Sequence, residues 1–320
     1  MPQRTGRAPI GRVAAAALAC LAVTLGATTS EPDQPVRRVQ AAGAEALVLR
    51  DGVRHGGVAI EAPLRPVDAA EFGGLLLVAG RDGVVDVFRP TDAGARRVHR
   101  VENLGRGLVR LAVADDVERV LALAADSLEI FGFIAPDPEL TDEPEELDPI
   151  IVDHARFCDF LRGDDGVAAR PRTFALGQDY LVLATDDELL QLIYQDRSYR
   201  VHARHPLPDA IARVEDLAFT GSRWVLAGLD RTARPVLWTA PAVTEAWTDL
   251  GVDALDAALS AGGEPIAWLP GGLSVGDGSI SLAIRGERPG IVGWPADAAS
   301  VEPAELRVRW LDATESDDGG

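Results

Sequence analysis

A Gly-x-Ser-x-Gly motif is the most direct candidate for a catalytic nucleophile in this sequence. It spans residues 272–276, with Ser274 at its centre. In hydrolases the glycines of this motif permit a strained strand-to-helix turn that exposes the serine, and the histidine partner follows downstream. The last histidine here is His205, and the motif continues into a Gly-Asp-Gly turn at residues 276–278. The motif therefore predicts a turn between strands, and no catalytic residue is assigned.

Two patterns are candidates for metal binding. His154 and Cys158 stand four residues apart, a spacing that places two ligands on one face of a helix. Two ligands do not make a site, so we interpret both as core residues on the apolar face of that helix. Acidic pairs at residues 115–116, 164–165 and 186–187 predict solvated turns, with calcium binding as the alternative. No metal and no other cofactor is assigned.

Tryptophans and an acidic run supply candidate contacts for a partner. All six tryptophans lie between residues 224 and 310. Tryptophan is enriched at interface hot spots and also stacks on sugar rings. The seven candidate partner contacts are Trp224, Trp247, Trp268, Asp142, Glu143, Glu145 and Glu146.

The composition excludes several classes of function. The 320 residues include 50 acidic and 31 basic side chains, for a formal net charge of −19, and every basic residue is arginine. Because lysine is absent, Schiff-base chemistry and a P-loop phosphate site are excluded. An acidic surface repels phosphate backbones, and the arginines are scattered along the chain, so we expect no nucleic-acid binding.

Residues 1–30 have the pattern of an export signal. Arg4, Arg7 and Arg12 precede an apolar run over residues 13–27, and no acidic residue occurs before Glu31. A run of about fifteen apolar residues is typical of a secretory signal and short for a membrane span. A cleaved signal, a retained anchor and a lipoprotein modified at Cys20 stay open. The pattern predicts a periplasmic or extracellular protein, with residues 31–44 as a tether.

A repeat organises the rest of the chain. Its units have an apolar stretch with an alanine, then an acid and a turn, then a second apolar stretch that ends in an aromatic residue. The marker alanines are Ala79, Ala124, Ala184, Ala227 and Ala283. They lie 45, 60, 43 and 56 residues apart, which is the spacing of four-stranded propeller blades rather than of hairpins in a sandwich.

On this repeat, residues 45–311 resemble the β-propeller superfold in its broad WD40-like and quinoprotein-like sense. The resemblance implies an all-β protein of five or six four-stranded blades. Short apolar stretches at residues 46–49 and 58–60 predict strands of a further blade, or strands that close the ring against residues 306–310. A pair of β-sandwiches is the structural alternative. The sequence has no WD40, kelch or calcium-repeat signature, so no functional residue is carried over.

Three segments break the repeat. Residues 136–149 hold seven acids and four prolines, which predicts an exposed loop. Residues 149–162 predict one short inserted helix, with Asp148 as its N-cap and Gly163 as its stop. The acidic residues 312–320 predict a disordered tail.

Together these features predict a non-catalytic extracytoplasmic β-propeller. We expect it to bind proteins at the outer face of a membrane, as a scaffold or an accessory subunit of an envelope or electron-transfer complex. One alternative is a propeller-type hydrolase or lyase with carboxylates or calcium in its central channel. The other is a carbohydrate-binding propeller, which requires exposed tryptophans.

Overall fold

Strands that follow one another in sequence pair as antiparallel neighbours, so the chain forms six four-stranded sheets, each from one continuous segment. The computed structural model describes residues 35–41, 43–91, 94–105, 107–114, 119–124, 127–134, 148–156, 170–195, 198–260, 266–276, 278–285, 290–298, 300–302 and 305–310. All of them belong to the compact unit Asp33–Gly320. The predicted export segment (1–30), Cys158 and the predicted tail (312–320) lie outside the described residues.

The six sheets follow the chain order. The first comprises β1 Pro35–Ala41, β2 Ala44–Leu49, β3 Val53–His55 and β4 Val58–Ile60. The second comprises β5 Pro66–Phe72, β6 Leu75–Gly80, β7 Val84–Thr91 and β8 Gly94–Val101. The third comprises β9 Arg110–Ala114, β10 Arg119–Leu123, β11 Ser127–Ile134 and β12 Asp148–Arg156. The fourth comprises β13 Pro171–Leu176, β14 Leu181–Thr185, β15 Glu188–Gln195 and β16 Ser198–Pro206.

The last two sheets flank the helix. The fifth comprises β17 Arg213–Phe219, β18 Trp224–Leu229, β19 Pro235–Ala240 and β20 Thr248–Asp249. The helix α1, Val252–Ser260, follows, and the sixth sheet comprises β21 Ala267–Gly276, β22 Ser279–Arg285, β23 Gly290–Pro295 and β24 Arg307–Trp310. Within the described residues no helix is long and apolar enough to cross a membrane.

The second strand of each sheet explains the repeat found in the sequence. All six residues of β6 are buried. Successive side chains in a strand point to opposite faces, so Leu76 and Val78 pack toward the first sheet while Leu77 and Ala79 pack toward the third. A strand that is covered on both sides must be apolar at every position, and its alanine lets the next sheet approach.

The sheets close into a ring around one axis. The first strand of each sheet contacts the first strands of its two neighbours, and β1 contacts β21. Apolar clusters fill the spaces between consecutive sheets from the first to the sixth. Where the sixth sheet meets the first, Arg309 forms an ion pair with Glu45, and the Arg38 amide lies 3.3 Å from Ser274 Oγ. The chain is a six-bladed β-propeller, as the repeat predicted.

The predicted tether is wrong over most of its length. Residues 35–41 form β1, the innermost strand of blade 1. This strand contains the polar residues Arg37, Arg38 and Gln40, pairs with β2 and contacts β5 and β21. The apolar stretches at residues 46–49 and 58–60 fall in β2 and β4 of the same blade.

The helix predicted at residues 149–162 is also wrong where it is described. Residues 148–156 form β12, which pairs along the whole of β11. Ile150, Ile151 and Val152 are β-branched and favour a strand when a free edge is available. Residues 157–162 of the predicted helix and residues 136–147 of the predicted acidic loop lie outside the described residues. The helix that is present, α1, buries Val252, Leu255 and Leu259.

Candidate functional site

The central channel brings together polar side chains from distant parts of the chain. The innermost strands of the six blades form its wall, and a cavity of about 330 Å³ lies between them. Near the ends of these strands the lining is largely apolar, with Val39, Val113 and Leu176. Near their starts it is charged. Arg37, Asp68 and Arg110 line the cavity there, and Asp216 and Thr173 join them through ion pairs and a hydrogen bond. We call these five residues the channel cluster.

Local backbone geometry aims most of these side chains at the axis. The register between the first two strands shifts immediately before Arg37, Asp68, Thr173 and Asp216. A β-bulge of this kind turns a side chain away from the regular pleat. The innermost strands β1, β5 and β13 each begin with a proline, two residues before Arg37, Asp68 and Thr173 respectively. Proline is tolerated as the first residue of a strand, although it cannot donate a hydrogen bond to the neighbouring strand.

Arg37 ties its own blade to three others. Its Nη2 donates to Asp216 Oδ2 over 2.6 Å, and its Nε lies 2.9 Å from Asp68 Oδ1. Its Nη1 donates to the Leu273 carbonyl oxygen over 3.1 Å. Blade 1 is thereby tied to blades 2, 5 and 6.

Arg110 makes the matching set of contacts from blade 3. It forms an ion pair with Asp216 Oδ1, and its Nε lies 3.8 Å from Asp68 Oδ2. Its Nη2 donates to the Leu217 carbonyl oxygen over 3.1 Å. Each aspartate is thus held between the same two arginines.

Backbone amides and one hydroxyl group donate further hydrogen bonds to the two carboxylates. Asp68 accepts from the Ala69 amide at 2.9 Å and the Leu111 amide at 2.8 Å. Asp216 accepts from the Leu217 amide at 2.8 Å and from Thr173 Oγ1 at 3.2 Å. Every carboxylate oxygen of the cluster therefore has at least one donor.

Burial makes the charges of the cluster interdependent. Asp216 is fully buried and Arg37 is 7 % exposed. Burial by itself lowers the pKa of Arg37, but the charges of Asp216 and Asp68 outweigh that effect and raise this pKa. Burial, together with the charge of Arg37, lowers the pKa of Arg110. Burial raises the pKa of Asp216, against the opposing charges of both arginines.

This arrangement suits a structural role better than proton transfer. Two guanidinium groups balance two carboxylates, and all four side chains are buried. A general acid or base needs a proton position that can face the substrate, whereas the carboxylate oxygens here already face donors from the protein. The described residues contain no group of three potential metal ligands.

The structure removes two of the three candidate tryptophans from the surface. Trp224 is 1 % exposed and stacks on Tyr180, with ring centroids 5.6 Å apart. Trp268 is 3 % exposed, and its Nε1 donates to Asp256 over 3.1 Å. Both fill the apolar space between blades, so neither is available to a partner or a sugar ring. Trp247 is half-buried against the cluster between blades 4 and 5.

The remaining candidates divide between strands, turns and undescribed residues. Ser274 lies inside β21, so the predicted turn is wrong at this residue, and no exposed nucleophile results. The pair at residues 186–187 occupies the turn between β14 and β15, as predicted. The acidic candidates Asp142, Glu143, Glu145 and Glu146 lie outside the described residues.

Comparison with solved structures supports the fold. The structure is similar to that of a protein from Lactobacillus plantarum at 13% identity, with 88% of this chain and 80% of that chain covered and a TM-score of 0.51. It is also similar to the WD40 domain of Toxoplasma gondii coronin at 8% identity, with 86% and 73% covered and a TM-score of 0.50. A periplasmic gluconolactonase from Pseudomonas aeruginosa aligns at 14% identity over 84% and 78% of the chains, with a TM-score of 0.49.

The similarities to the Lactobacillus plantarum protein and the coronin domain show the fold alone. No protein-family model matches the sequence, and no curated protein is significantly similar to it.

Sequence reasoning missed every residue of the channel cluster. One sequence pattern could have indicated these residues. It is the tripeptide Pro-x-polar, where x is any residue, at the start of a strand. It occurs at residues 35–37, 66–68 and 171–173. Each copy of the pattern places a polar side chain near the channel axis. Which of these side chains contact one another depends on closure of the ring, which the local sequence does not show.

Proposed function

We propose that this chain is a non-catalytic, extracytoplasmic β-propeller that binds proteins, as a scaffold or an accessory subunit of a membrane-associated complex. The observation that carries the proposal is the channel cluster. Its carboxylates bind two arginines and backbone amides from neighbouring blades, so the buried acids of the channel hold the ring together. A rigid ring leaves specificity to its loops and outer strands.

The outer strands provide a charged surface for such a role. β8, β16 and β24, the outermost strands of blades 2, 4 and 6, contain seven arginines and no acidic residue, although the net charge of the chain is −19. Four of the seven arginines form ion pairs within the chain, Arg97 and Arg100 with Asp86, Arg204 with Glu188 and Arg309 with Glu45. A surface that carries both signs of charge orients a partner of complementary charge. Arginines also discourage edge-to-edge pairing with unrelated strands. Trp247 and the acidic residues 142–146 stay candidate contacts.

The compartment is part of the proposal. Arg4, Arg7 and Arg12, followed by the apolar run at residues 13–27, support export through a membrane. An exported chain meets its partner at the periplasmic or extracellular face of a bacterial membrane. An envelope complex or an electron-transfer complex is a partner of this kind.

Blue-native electrophoresis of mildly solubilised native membranes tests the scaffold role. We expect the chain to migrate with a complex much larger than itself, and mass spectrometry of that band identifies the partner. Migration at the size of the chain alone, in every fraction, would contradict the proposal.

A matched pair of variants tests export separately. Leu18→Arg interrupts the apolar run, whereas Leu64→Arg changes a leucine that is 77 % exposed on the propeller. We expect Leu18→Arg to retain the chain in the cytoplasm and Leu64→Arg to leave export unchanged, as measured by cell fractionation. Normal export of the Leu18→Arg variant would refute the proposed signal.

A further inference from the structure

A second cavity lies between blades 3 and 4. Its volume is about 380 Å³, within the range of small-molecule sites. It shares Val113 and Leu176 with the channel cavity, so the two cavities adjoin near the ends of the innermost strands. All three tyrosines of the chain line it, namely Tyr180, Tyr194 and Tyr199. The cavity therefore combines apolar walls with aromatic rings.

The tyrosine rings are held in place by their neighbours. Tyr180 stacks on the buried ring of Trp224 with an angle of 20° between the planes, so this contact covers one face of Tyr180. Tyr194 and Tyr199 are cross-strand partners with ring centroids 5.1 Å apart at 61°. The Arg119 guanidinium carbon lies 4.4 Å from the centroid of the Tyr194 ring. Because Tyr194 already binds this cation of the protein, the rings of Tyr180 and Tyr199 remain for a ligand.

The cavity opens to solvent beside a negative charge. Gln178 and Asp179 are the central residues of the turn between β13 and β14, which the Gly177 amide closes by donating to the Tyr180 carbonyl oxygen over 2.8 Å. Both side chains line the cavity and are exposed. Among the described residues of the lining, Asp179 is the one that carries a charge. No other described residue forms an ion pair with it, so its charge is available to a ligand.

We propose that this cavity binds a small quaternary ammonium ion. The negative face of an aromatic ring attracts a cation, and the Asp179 carboxylate adds a charge of the required sign at the opening. The methyl groups of the ligand pack against Val113, Leu176 and Leu181, which also line the cavity. A quaternary nitrogen has no N–H group, so it leaves no donor without an acceptor among these apolar walls. The net charge of −19 favours the approach of a cation.

Ligand-detected NMR with two matched probes tests the site on the whole chain. The probes are choline and 3,3-dimethyl-1-butanol, which have the same shape and differ in charge, and the titration follows the methyl signal that both probes share. We expect choline to bind with a dissociation constant of about 1 mM, and the neutral alcohol to bind about tenfold more weakly. Equal binding of both probes, or no binding of choline up to about 20 mM, would overturn the proposal.

Variants locate the binding. Asp179→Asn removes the charge and should weaken choline binding about threefold to tenfold while leaving binding of the alcohol unchanged. Tyr180→Leu removes an aromatic face and should weaken choline binding about tenfold, whereas Tyr180→Phe keeps the face and should bind within about twofold of wild type.

The charge-matched control is Asp187→Asn, at an exposed residue beyond the other end of β14, and it should bind choline as wild type does. An equal loss of affinity in Asp179→Asn and Asp187→Asn would show that choline follows the overall acidity of the chain, and would overturn the site. If Tyr180→Leu does not fold, Asp179→Asn decides, because Asp179 is exposed in a turn. Wild-type affinity for choline in that variant would overturn the assignment.

Discussion

Arg37 and Asp216 are 179 residues apart in the chain, and their Nη2 and Oδ2 atoms are 2.6 Å apart across the propeller channel. Arg37 lies in the first described strand, and Asp216 lies in the innermost strand of blade 5. This contact forms only when the ring is closed. The channel therefore contains an electrostatic link between the first described strand and blade 5, on the far side of the ring.

Two truncations test whether residues 35–41 are part of the fold. Deletion of residues 1–34 leaves β1 and Arg37 in place, and we expect a cooperative thermal transition in the purified chain. Deletion of residues 1–41 removes the innermost strand of blade 1 and leaves Asp216 without one of its two arginines. We expect that longer deletion to abolish the cooperative transition. The same melting temperature for both chains would show that residues 35–41 are a tether after all.

Gly177→Ala tests the packing beneath Tyr180. The added Cβ would lie 2.7 Å from Trp224 Cζ2, and such a clash in a packed core typically costs about 1–3 kcal/mol. We expect the free energy of unfolding in urea to fall by that amount, with a change in tryptophan fluorescence. Gly271→Ala is the control, because nothing lies within 4 Å of its Cβ position. Equal stability of the two variants would argue against the packed Tyr180–Trp224 pair.

Asp230 gives a prediction with a defined pH dependence. Its Oδ1 accepts from the Thr232 hydroxyl, the Arg234 amide and the Thr232 amide, and these hydrogen bonds lower the pKa of Asp230. A lowered pKa in the folded state stabilises the fold above the unfolded-state pKa of about 3.9. That contribution disappears as the pH falls through the folded-state pKa.

We therefore expect Asp230→Ala to lower the melting temperature at pH 7, with a smaller difference from wild type near pH 3. Asp230→Asn keeps an acceptor in the turn and should lose less at pH 7. Differential scanning calorimetry at both pH values makes the comparison. A difference between Asp230→Ala and wild type that grows on acidification would contradict the assigned hydrogen bonds.

The interior of the blades could be predicted from the sequence, and the lining of the channel could not. Ala79 and Ala227 lie in second strands that neighbouring sheets cover on both faces. Such strands must be apolar at every position, so they can be recognised from a short stretch of sequence. β1 has the opposite character. Its polar residues, including Arg37, face the channel and the closing blade, and their partners come from strands far along the chain.

Two further errors in secondary structure concern helices. The stretch at residues 148–156 has the caps and apolar spacing of a helix, but the free edge of β11 and the β-branched run at residues 150–152 make it a strand. The helix α1 escaped notice because only Val252, Leu255 and Leu259 anchor it, at the junction of blades 5 and 6. In β12 tertiary contacts outweigh local propensity, whereas α1 agrees with local propensity, because its sequence is rich in alanine and leucine.

The stability of an Asp216→Asn variant tests the central claim, that the channel carboxylates hold the ring together. The substitution leaves Arg37 and Arg110 buried with Asp68 as their one remaining shared anion, and breaking a buried ion pair costs about 3–5 kcal/mol. We predict a loss of about 3 kcal/mol in the free energy of unfolding in urea. Asp209→Asn, at an exposed residue, should change it by less than about 0.5 kcal/mol. A catalytic carboxylate is held at the expense of stability, so its replacement usually leaves the fold as stable or more stable. Unchanged or increased stability of Asp216→Asn would contradict the structural role and point back to chemistry in the channel.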